Sequence, residues 1–284
     1  MIIIIEKAED MSRLADKAHK KNLTVGFIPT MGALHKGHIK LVKASKKQCD
    51  FTIVSIFVNP TQFNDKNDLQ KYPRTLDKDI EMLFEPSTDI VFVPQEEEIY
   101  PYGVDFENDL DLGGKDLPLE GKFRPGHFKG VAQVVKRLLE IVKPTHLFMG
   151  LKDFQQVAVV QHIIDRYEIP TKLVPVSTMR EKSGLAMSSR NARLSEEGKE
   201  KAATIYKVLS SIVRNYNKRP VNYLLDKGFQ KLKETGFETE YLSVVDGHTL
   251  QEISDLNDTD YAVVCVATWL EGVRLIDNMI IKQP

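Results

Sequence analysis

Residues 23–42 read LTVGFIPTMGALHKGHIKLV, and this stretch decides the fold of the first part of the chain. Its first six residues form an apolar run typical of a buried β-strand, which ends in proline and glycine. A helix-period pattern follows, in which Ile39, Val42 and Cys49 fall on one face. The stretch therefore predicts a strand, a turn and then a helix that begins near His35.

Two histidines, His35 and His38, occupy this strand-to-helix junction, three residues apart on one side of the first helical turn. Backbone N–H groups at a helix N-terminus bind anions, and Gly37 leaves room for a phosphate to approach. Two imidazoles there can donate hydrogen bonds to charge that develops on a phosphate in a transition state. Two surface histidines near a turn would give the same tetrapeptide, but the flanking strand and helix favour a nucleotide site.

Apolar runs alternate with helical patterns through residue 176. Besides the opening stretch, the runs are residues 51–58, 89–93, 145–149 and 172–176, and the strongest helical pattern spans residues 131–142. Such alternation predicts a doubly wound parallel sheet. The isoleucines that follow Met1 are too few for a signal peptide or a membrane span, and we expect them to form a buried first strand.

The pattern changes beyond Ser195. Two helical patterns precede three strand-like runs, at residues 196–215, 222–234, 240–245, 262–268 and 273–281. Turn signals at Asp246-Gly247 and Glu271-Gly272 favour an antiparallel arrangement. The prediction is an α/β domain over residues 1–176, followed by a smaller α+β domain with an antiparallel sheet over residues 177–284, which covers the active site.

Composition places the chain among ordinary globular proteins, because 42% of its 284 residues are hydrophobic and 28% are charged. A net charge of −1 gives no electrostatic footprint for nucleic acid. No apolar segment approaches the length of a membrane span, so we expect a cytoplasmic protein without a membrane partner. Cys49 and Cys265 lack metal-ligand spacing, and we interpret them as structural thiols in a reducing compartment.

Polar segments follow the predicted parallel strands at residues 29–38, 59–64, 150–156 and 177–191. Ligands of such sheets bind beyond the carboxyl ends of the strands, so these segments are expected to converge. The amides of Asn59 and Gln62 suit a polar, uncharged or hydroxylated ligand, although a hydrogen-bonded loop is an equal alternative. Lys152 offers a point charge for phosphate or is simply solvated.

Three more groups stand in these segments or near them. Asp153 is able to cap the helix that follows it, and Gln156 lies one turn further on. Hydroxyls next to an arginine can wrap phosphate oxygens, as in Ser188-Ser189-Arg190, unless this is an ordinary loop before a helix capped by Ser195. The basic turn at residues 124–127 has no target that the sequence defines. Nucleophile-elbow, CxxC and HExxH patterns are missing from the sequence, which favours a phosphate-directed reaction without an enzyme-linked intermediate.

Six segments together resemble the pantoate–β-alanine ligase (pantothenate synthetase) family, in the right order and over almost the whole chain. They are residues 30–38, 57–63, 72–75, 124–128, 152–156 and 187–191. Each alone would indicate only the wider class of HxGH nucleotidyltransferases. The resemblance implies a Rossmann-like sheet domain, a cytoplasmic homodimer, and ATP with Mg²⁺. It also implies that pantoate attacks the α-phosphate of ATP and that β-alanine then attacks the resulting pantoyl adenylate, which yields pantothenate, AMP and pyrophosphate.

The resemblance also implies roles for individual residues. The ATP-binding residues would be Thr30, Met31, His35, His38, Gly150, Lys152, Asp153, Met179, Met187, Ser188, Ser189 and Arg190. Catalysis would fall to six of them, which are His35, His38, Lys152, Ser188, Ser189 and Arg190. Pantoate would be bound by Gln62, Gln156 and Asn59. The ligands of Mg²⁺ stay undefined, with Asp77 and Asp79 as candidates.

Two other functions are compatible with parts of the pattern. A nucleotidyltransferase would leave the nucleotidyl group on a phosphorylated product, but the amide groups favour a neutral polar ligand. A nucleotide-binding module without catalysis would be expected to have lost some of these motifs, and here they are intact.

Overall fold

The computed structural model describes residues 2–63, 66–104 and 110–283, with the backbone alone for residues 66–68. Met1 and Asn64, which belong to two of the predicted segments, lie outside these ranges. The chain divides into two compact units. The first comprises Met1–Leu117, Gly121–Gly150 and Val159–Ser177, and the second comprises Pro118–Glu120, Leu151–Ala158 and Thr178–Pro284. The division into domains at residues 176 and 177 remains a prediction.

A six-stranded parallel sheet forms the centre of the first unit, as predicted. Its strands are β1 (Ile3–Ile5), β2 (Val25–Thr30), β3 (Phe51–Ile56), β4 (Ile90–Phe92), β5 (His146–Gly150) and β6 (Lys172–Val176). Their order across the sheet is β1-β4-β3-β2-β5-β6. The helices from the N-terminus to β6 are α1 (Ala8–Lys20), α2 (Lys36–Lys46), α3 (Lys66–Lys71), α4 (Leu76–Phe84), α5 (Glu96–Ile99), α6 (Glu120–Phe123), α7 (His127–Val142) and α8 (Phe154–Arg166).

The central strands are buried on both faces because α2 packs against β2, β3 and β5, while α7 also contacts β2. Ile28, Val42 and Val54 belong to one apolar cluster of this unit. Cys49 belongs to the same cluster, although it lies beyond the end of α2, and its N–H bonds to the Ser45 carbonyl. Burial of such side chains contributes roughly 1.5–3 kcal/mol each.

Strand β1 corrects one prediction, since its first two residues are not buried. Ile3 and Ile4 are 51% and 50% exposed, and only Ile5 lies in the core. The reason is the strand's place at the edge of the sheet, where β4 is its single neighbour. An apolar run of this length does not distinguish an edge strand from a central one.

The second unit contains α9 (Glu196–Asn215), α10 (Val221–Glu234) and a three-stranded antiparallel sheet. The strands are β7 (Glu238–Asp246), β8 (Ala262–Leu270) and β9 (Val273–Lys282). Glu271 and Gly272 both have positive φ, at 50° and 69°, and join β8 to β9 through the predicted two-residue turn. The antiparallel prediction is confirmed. Across the described residues, no helix is both long and apolar enough to cross a membrane.

Candidate active site

The turn between β2 and α2 is built around one buried carboxylate. Asp79, 2% exposed on α4, accepts the backbone N–H groups of Ala33 at 3.0 Å and Leu34 at 2.7 Å. Thr30 closes the other side, since its hydroxyl donates to the Ser55 carbonyl and accepts the N–H of Gly32. Gly32 has a φ of +80°, and a Cβ there would lie 3.0 Å from the Asp79 carboxylate. Asp79 therefore fixes the path of the chain into His35.

The two histidines cap α2 reciprocally. The Nδ1 atom of His35 accepts the N–H of Gly37 at 3.1 Å, and the Nδ1 atom of His38 accepts the N–H of His35 at 3.2 Å. The rings lie 4.1 Å apart between centroids, inclined at 37°. This arrangement is a capping box in which imidazole replaces the usual hydroxyl and carboxyl groups.

This capping has a chemical consequence for the rings. A nitrogen that accepts a backbone N–H carries no proton, so a neutral ring in this position holds its proton on Nε2. A neutral imidazole at either position therefore carries an Nε2–H donor at the N-terminus of α2, where the helix dipole attracts anions. The predicted phosphate-directed role of His35 and His38 uses an Nε2–H donor.

Asn59 and Gln62 follow β3, and they bond to each other. The Asn59 Nδ2 group donates to Gln62 Oε1 at 3.2 Å and to the Gly130 carbonyl at 3.1 Å. Its Oδ1 atom accepts from the N–H and the hydroxyl of Thr61. Gln62 Nε2 lies 2.9 Å from the sulfur of Met31. The structure thus uses the polar atoms of Asn59 internally, to hold Gln62.

Tyr100 and His127 extend this network. The buried Tyr100 hydroxyl donates to Asn59 Oδ1 at 2.8 Å, and burial raises the pKa of Tyr100 to about 12. His127 Nδ1 lies 2.8 Å from the Gln62 carbonyl, while its Nε2 lies 3.2 Å from an Arg124 guanidinium nitrogen. His127 therefore donates through Nδ1 and accepts through Nε2. The basic turn at residues 124–127, which had no predicted target, is placed against Gln62.

Two further features lie at the carboxyl ends of the first unit's strands. Gly150 ends β5 level with Val176 of β6, and a Cβ on Gly150 would meet no atom within 4 Å. On α2, Lys40 donates to the carbonyl and the hydroxyl of Ser177, both at 2.7 Å. Lys40 thus fixes the segment that leaves β6.

In the second unit, Lys152 lies in a single 3₁₀ turn, Leu151–Asp153, directly before α8. Its amine is 3.4 Å from a carboxylate oxygen of Asp153, which is too long for a strong bond between partly solvated groups. Gln156 is half-buried on the first turn of α8. Its neighbour Gln155 is buried and bonds to the N–H of Glu120 and the carbonyl of Pro118, so this glutamine of the pair has a structural role.

Met179 and Met187 face each other across a hairpin. The N–H of Met187 donates to the Met179 carbonyl at 2.9 Å, and Arg180 pairs with Ala186. Gly184, with a φ of +93°, turns the hairpin where a Cβ would strike the Tyr206 ring.

A 3₁₀ helix, Ser189–Arg193, follows the hairpin. The Ser188 hydroxyl caps it by accepting the N–H of Arg190 at 3.3 Å. Ser188, Ser189 and Arg190 are all half-buried. Ser195 caps α9, as predicted, by accepting the N–H of Gly198 at 2.9 Å.

The aspartates considered for Mg²⁺ occupy different environments on α4. Asp79 is buried and its two carboxylate oxygens hold the turn before His35, whereas Asp77 is an exposed residue of the same helix. Among the described residues, no group of three or more His, Cys, Asp or Glu side chains is placed to hold a metal ion. The part of the chain that the structure describes thus defines no metal site, and the ligands of Mg²⁺ stay unassigned.

Each unit gathers its own share of the predicted site residues. Thr30, Met31, His35, His38, Asn59, Gln62 and Gly150 belong to the first unit, and the remainder belong to the second. Sequence reasoning missed Asp79 as the anchor of the turn, and it missed Tyr100 and Lys40. These side chains bond to groups far away in the chain, and no local spacing marks them.

Comparison with known proteins identifies the family of the chain. The family model described as pantoate-beta-alanine ligase matches residues 3–280. A pantothenate synthetase of Azobacteroides pseudotrichonymphae is 45% identical over 97% of this chain and 99% of its own length. A crystal structure of pantoate-beta-alanine (pantothenate synthetase) from Thermus thermophilus is 36% identical, with a TM-score of 0.91 and full coverage of both chains.

A second solved structure has ligands named with it. The pantoate-beta-alanine ligase of Francisella tularensis, complexed with beta-gamma ATP and beta-alanine, is 38% identical, with a TM-score of 0.81. The alignment covers 99% of this chain and 98% of that one. Matches of this length and identity cover both units. The chain belongs to the pantoate–β-alanine ligase family.

Proposed function

We propose that this chain uses ATP to condense pantoate with β-alanine, with release of AMP and pyrophosphate, through a pantoyl-adenylate intermediate. The observation that carries the proposal is the reciprocal capping of α2 by His35 and His38. It presents two Nε2–H donors at a helix N-terminus, which suits the transfer of a nucleotidyl group. The ligands named for the Francisella tularensis relative, ATP and β-alanine, support the same reaction.

In the first step, a carboxylate oxygen of pantoate attacks the α-phosphorus of ATP, and the bond to the bridging oxygen of pyrophosphate breaks. Negative charge builds up on the α-phosphate and the leaving group, so the reaction needs in-line positioning and cationic or hydrogen-bonding neighbours. His35 and His38 donate to this charge. Lys152 neutralises phosphate oxygens, and Ser188, Ser189 and Arg190 hold the triphosphate.

In the second step, the neutral amine of β-alanine attacks the acyl carbon of pantoyl adenylate. The carbon–nitrogen bond forms, the amine loses a proton, and AMP leaves with the electrons of the acyl–oxygen bond. No side chain of the enzyme forms a covalent intermediate. The acyl phosphate is already activated, so this step depends mainly on how well the two reactants are held.

Gln62 and Gln156 bind the hydroxyl and carboxylate oxygens of pantoate in this proposal. Asn59 contributes by holding the Gln62 amide, since its own polar atoms bond to protein groups. The nucleotide is also contacted by the other residues of the predicted ATP-binding set, which are Thr30, Met31, Gly150, Asp153, Met179 and Met187. Of these, Thr30 acts through the turn that it closes.

Three further properties belong to the proposal. ATP would bind with Mg²⁺ on its phosphates, which would offset part of their charge. The protein works as a homodimer in the cytoplasm, and the two buried cysteines, which are free thiols, fit a reducing compartment. Light scattering of the purified chain measures the homodimer directly, and a monomer at assay concentration would contradict that part.

The decisive experiment is pantoate-dependent exchange of pyrophosphate into ATP, with Mg²⁺ present and β-alanine withheld. Exchange requires reversible formation of the adenylate, and later addition of β-alanine must release AMP and pantothenate. An enzyme that left the nucleotidyl group on its product would release no AMP. Pyrophosphate exchange that did not depend on pantoate would also refute the proposal.

Variants of His38 test the residue that matters most. We expect His38→Ala to lower the exchange rate by about 10² or more, the scale of a lost transition-state donor. His38→Gln keeps an acceptor for the capping box but removes the imidazole, so it should fold normally and be similarly slow. His19→Ala, which changes an exposed histidine of α1, is the matched control and should retain full activity.

A further inference from the structure

Two adjacent polar residues are buried in the middle of β9, the strand Val273–Lys282. Asp277 and Asn278 lie on β9 and are only 4% and 7% exposed. A buried carboxylate or amide without partners destabilises a protein by about 1–3 kcal/mol or more. Both residues therefore need a structural or functional reason to be there, and none of the assigned roles includes them.

Asn278 directs both of its amide hydrogens to a single turn. Its Nδ2 atom donates to the carbonyl of Leu151 and to the carbonyl of Lys152, each at 2.8 Å. All three residues belong to the second unit. Two carbonyls that converge on one side-chain nitrogen fix the orientation of both peptide groups, and with it the direction in which the Lys152 side chain leaves the backbone.

Asp277 fixes Asn278 in turn and connects it with the hairpin of Met179 and Met187. One Asp277 carboxylate oxygen accepts the Asn278 N–H at 2.8 Å. Arg180 of the hairpin binds both carboxylate oxygens, at 2.6 and 3.0 Å, and also donates to the Asn278 carbonyl at 3.3 Å. The guanidinium carbon lies 4.8 Å from the centre of the Tyr206 ring.

The same point on β9 thus holds two segments that contact ATP in the proposed function. A lysine ammonium is a point charge on a flexible four-carbon stem, so only its backbone attachment is set by the fold. A misplacement of about 1 Å at a catalytic group can slow a reaction by about 10². We propose that Asn278 is a positioning residue that orients the backbone of Lys152 for phosphate binding, an inference that rests on the proposed function.

A double-mutant cycle tests the proposal. Asn278→Ala is expected to lower the turnover of pantoate-dependent exchange by about 10- to 100-fold with little change in the KM for pantoate. In a Lys152→Ala background the same change should cost less than about two-fold, because residues that act as a unit are not additive. Equal losses in both backgrounds, or no loss in either, would overturn the proposal.

Matched variants separate positioning from general damage to the sheet. Asn278→Asp keeps the shape of the side chain but removes both donors, so it should be as slow as Asn278→Ala. Thr268→Val removes a hydroxyl that bonds to the Glu238 carbonyl, from a fully buried position on the neighbouring strand β8. It should retain wild-type turnover. A Thr268→Val variant as slow as Asn278→Ala would attribute the effect to the sheet and refute the proposal.

Amide hydrogen exchange supplies a readout that does not depend on activity. Protection of residues 151–156 should fall in Asn278→Ala, by comparison with wild type and Thr268→Val, while protection of α9 stays unchanged. Undiminished protection of residues 151–156 would overturn the proposal. If the wild-type protein catalysed no pantoate-dependent exchange, the proposed function would fail, and hydrogen exchange would still decide whether Asn278 holds this turn.

Discussion

Replacing Asp79 with asparagine removes one charged acceptor from the turn that leads into His35. Asp79 accepts two backbone N–H groups, from Ala33 and Leu34, and each bond to a charged acceptor contributes about 1.5–3 kcal/mol. Asparagine keeps one acceptor oxygen and turns an NH₂ group toward the other N–H. One bond is lost and a buried donor faces a donor, so the free energy of unfolding should fall by about 2–4 kcal/mol.

The same substitution should reduce activity, because His35 follows the turn directly. A shift of the turn would carry the two imidazoles with it, and we expect exchange turnover to fall by about 10- to 100-fold. Urea unfolding monitored by circular dichroism measures the stability, and pantoate-dependent exchange measures the turnover. Glu81→Gln changes an exposed carboxylate on α4 and should lie within about 0.5 kcal/mol of wild type.

One result would refute this reasoning about Asp79. If Asp79 bound Mg²⁺, asparagine would mainly raise the Mg²⁺ concentration needed for half-maximal exchange and would leave the unfolding free energy unchanged. Asp79→Asn with wild-type stability and an altered Mg²⁺ dependence would therefore indicate that Asp79 binds Mg²⁺ and does not stabilise the turn. Titration of Mg²⁺ at saturating ATP distinguishes the two cases.

Two further predictions concern buried polar groups in the two units. The folded pKa of Tyr100, about 12, lies above its ordinary value of 10.0, so the stability that its neutral phenol contributes is complete below pH 10 and is lost as pH rises from 10 towards 12. The loss should reach about 3 kcal/mol and be absent from Tyr100→Phe, whereas Tyr102→Phe, at an exposed position, should unfold like wild type across this range. Arg274 binds Glu120 and Glu240 at 2.6 Å each. Arg274→Met should therefore lower the unfolding free energy by about 3–5 kcal/mol in urea, since it removes the cation that both poorly solvated carboxylates share, and a loss below about 1 kcal/mol would contradict this.

Much of the fold follows from local pattern. The parallel strands, the helix over residues 131–142 and the antiparallel sheet were predictable because each has a hydrophobic period that one segment carries by itself. The burial of β1 was not predictable, because whether a strand lies at the edge or in the centre depends on which other strands pair with it. The same limit applies to Asn59, whose partners Tyr100 and Gly130 lie 41 and 71 residues away in the chain.

The histidine pair shows why a motif of four residues can be so informative. Each Nδ1 atom is occupied by the backbone of α2, so the helix itself determines which nitrogen carries the proton. A single set of hydrogen bonds therefore starts the helix, selects the tautomer and directs both donors to the end of α2 that attracts anions. Asparagine or serine would cap the helix equally well but would present no Nε2–H group. The spacing of the motif thus meets two demands: the geometry of the first helical turn and, in the proposed function, the placement of two donors for phosphate chemistry.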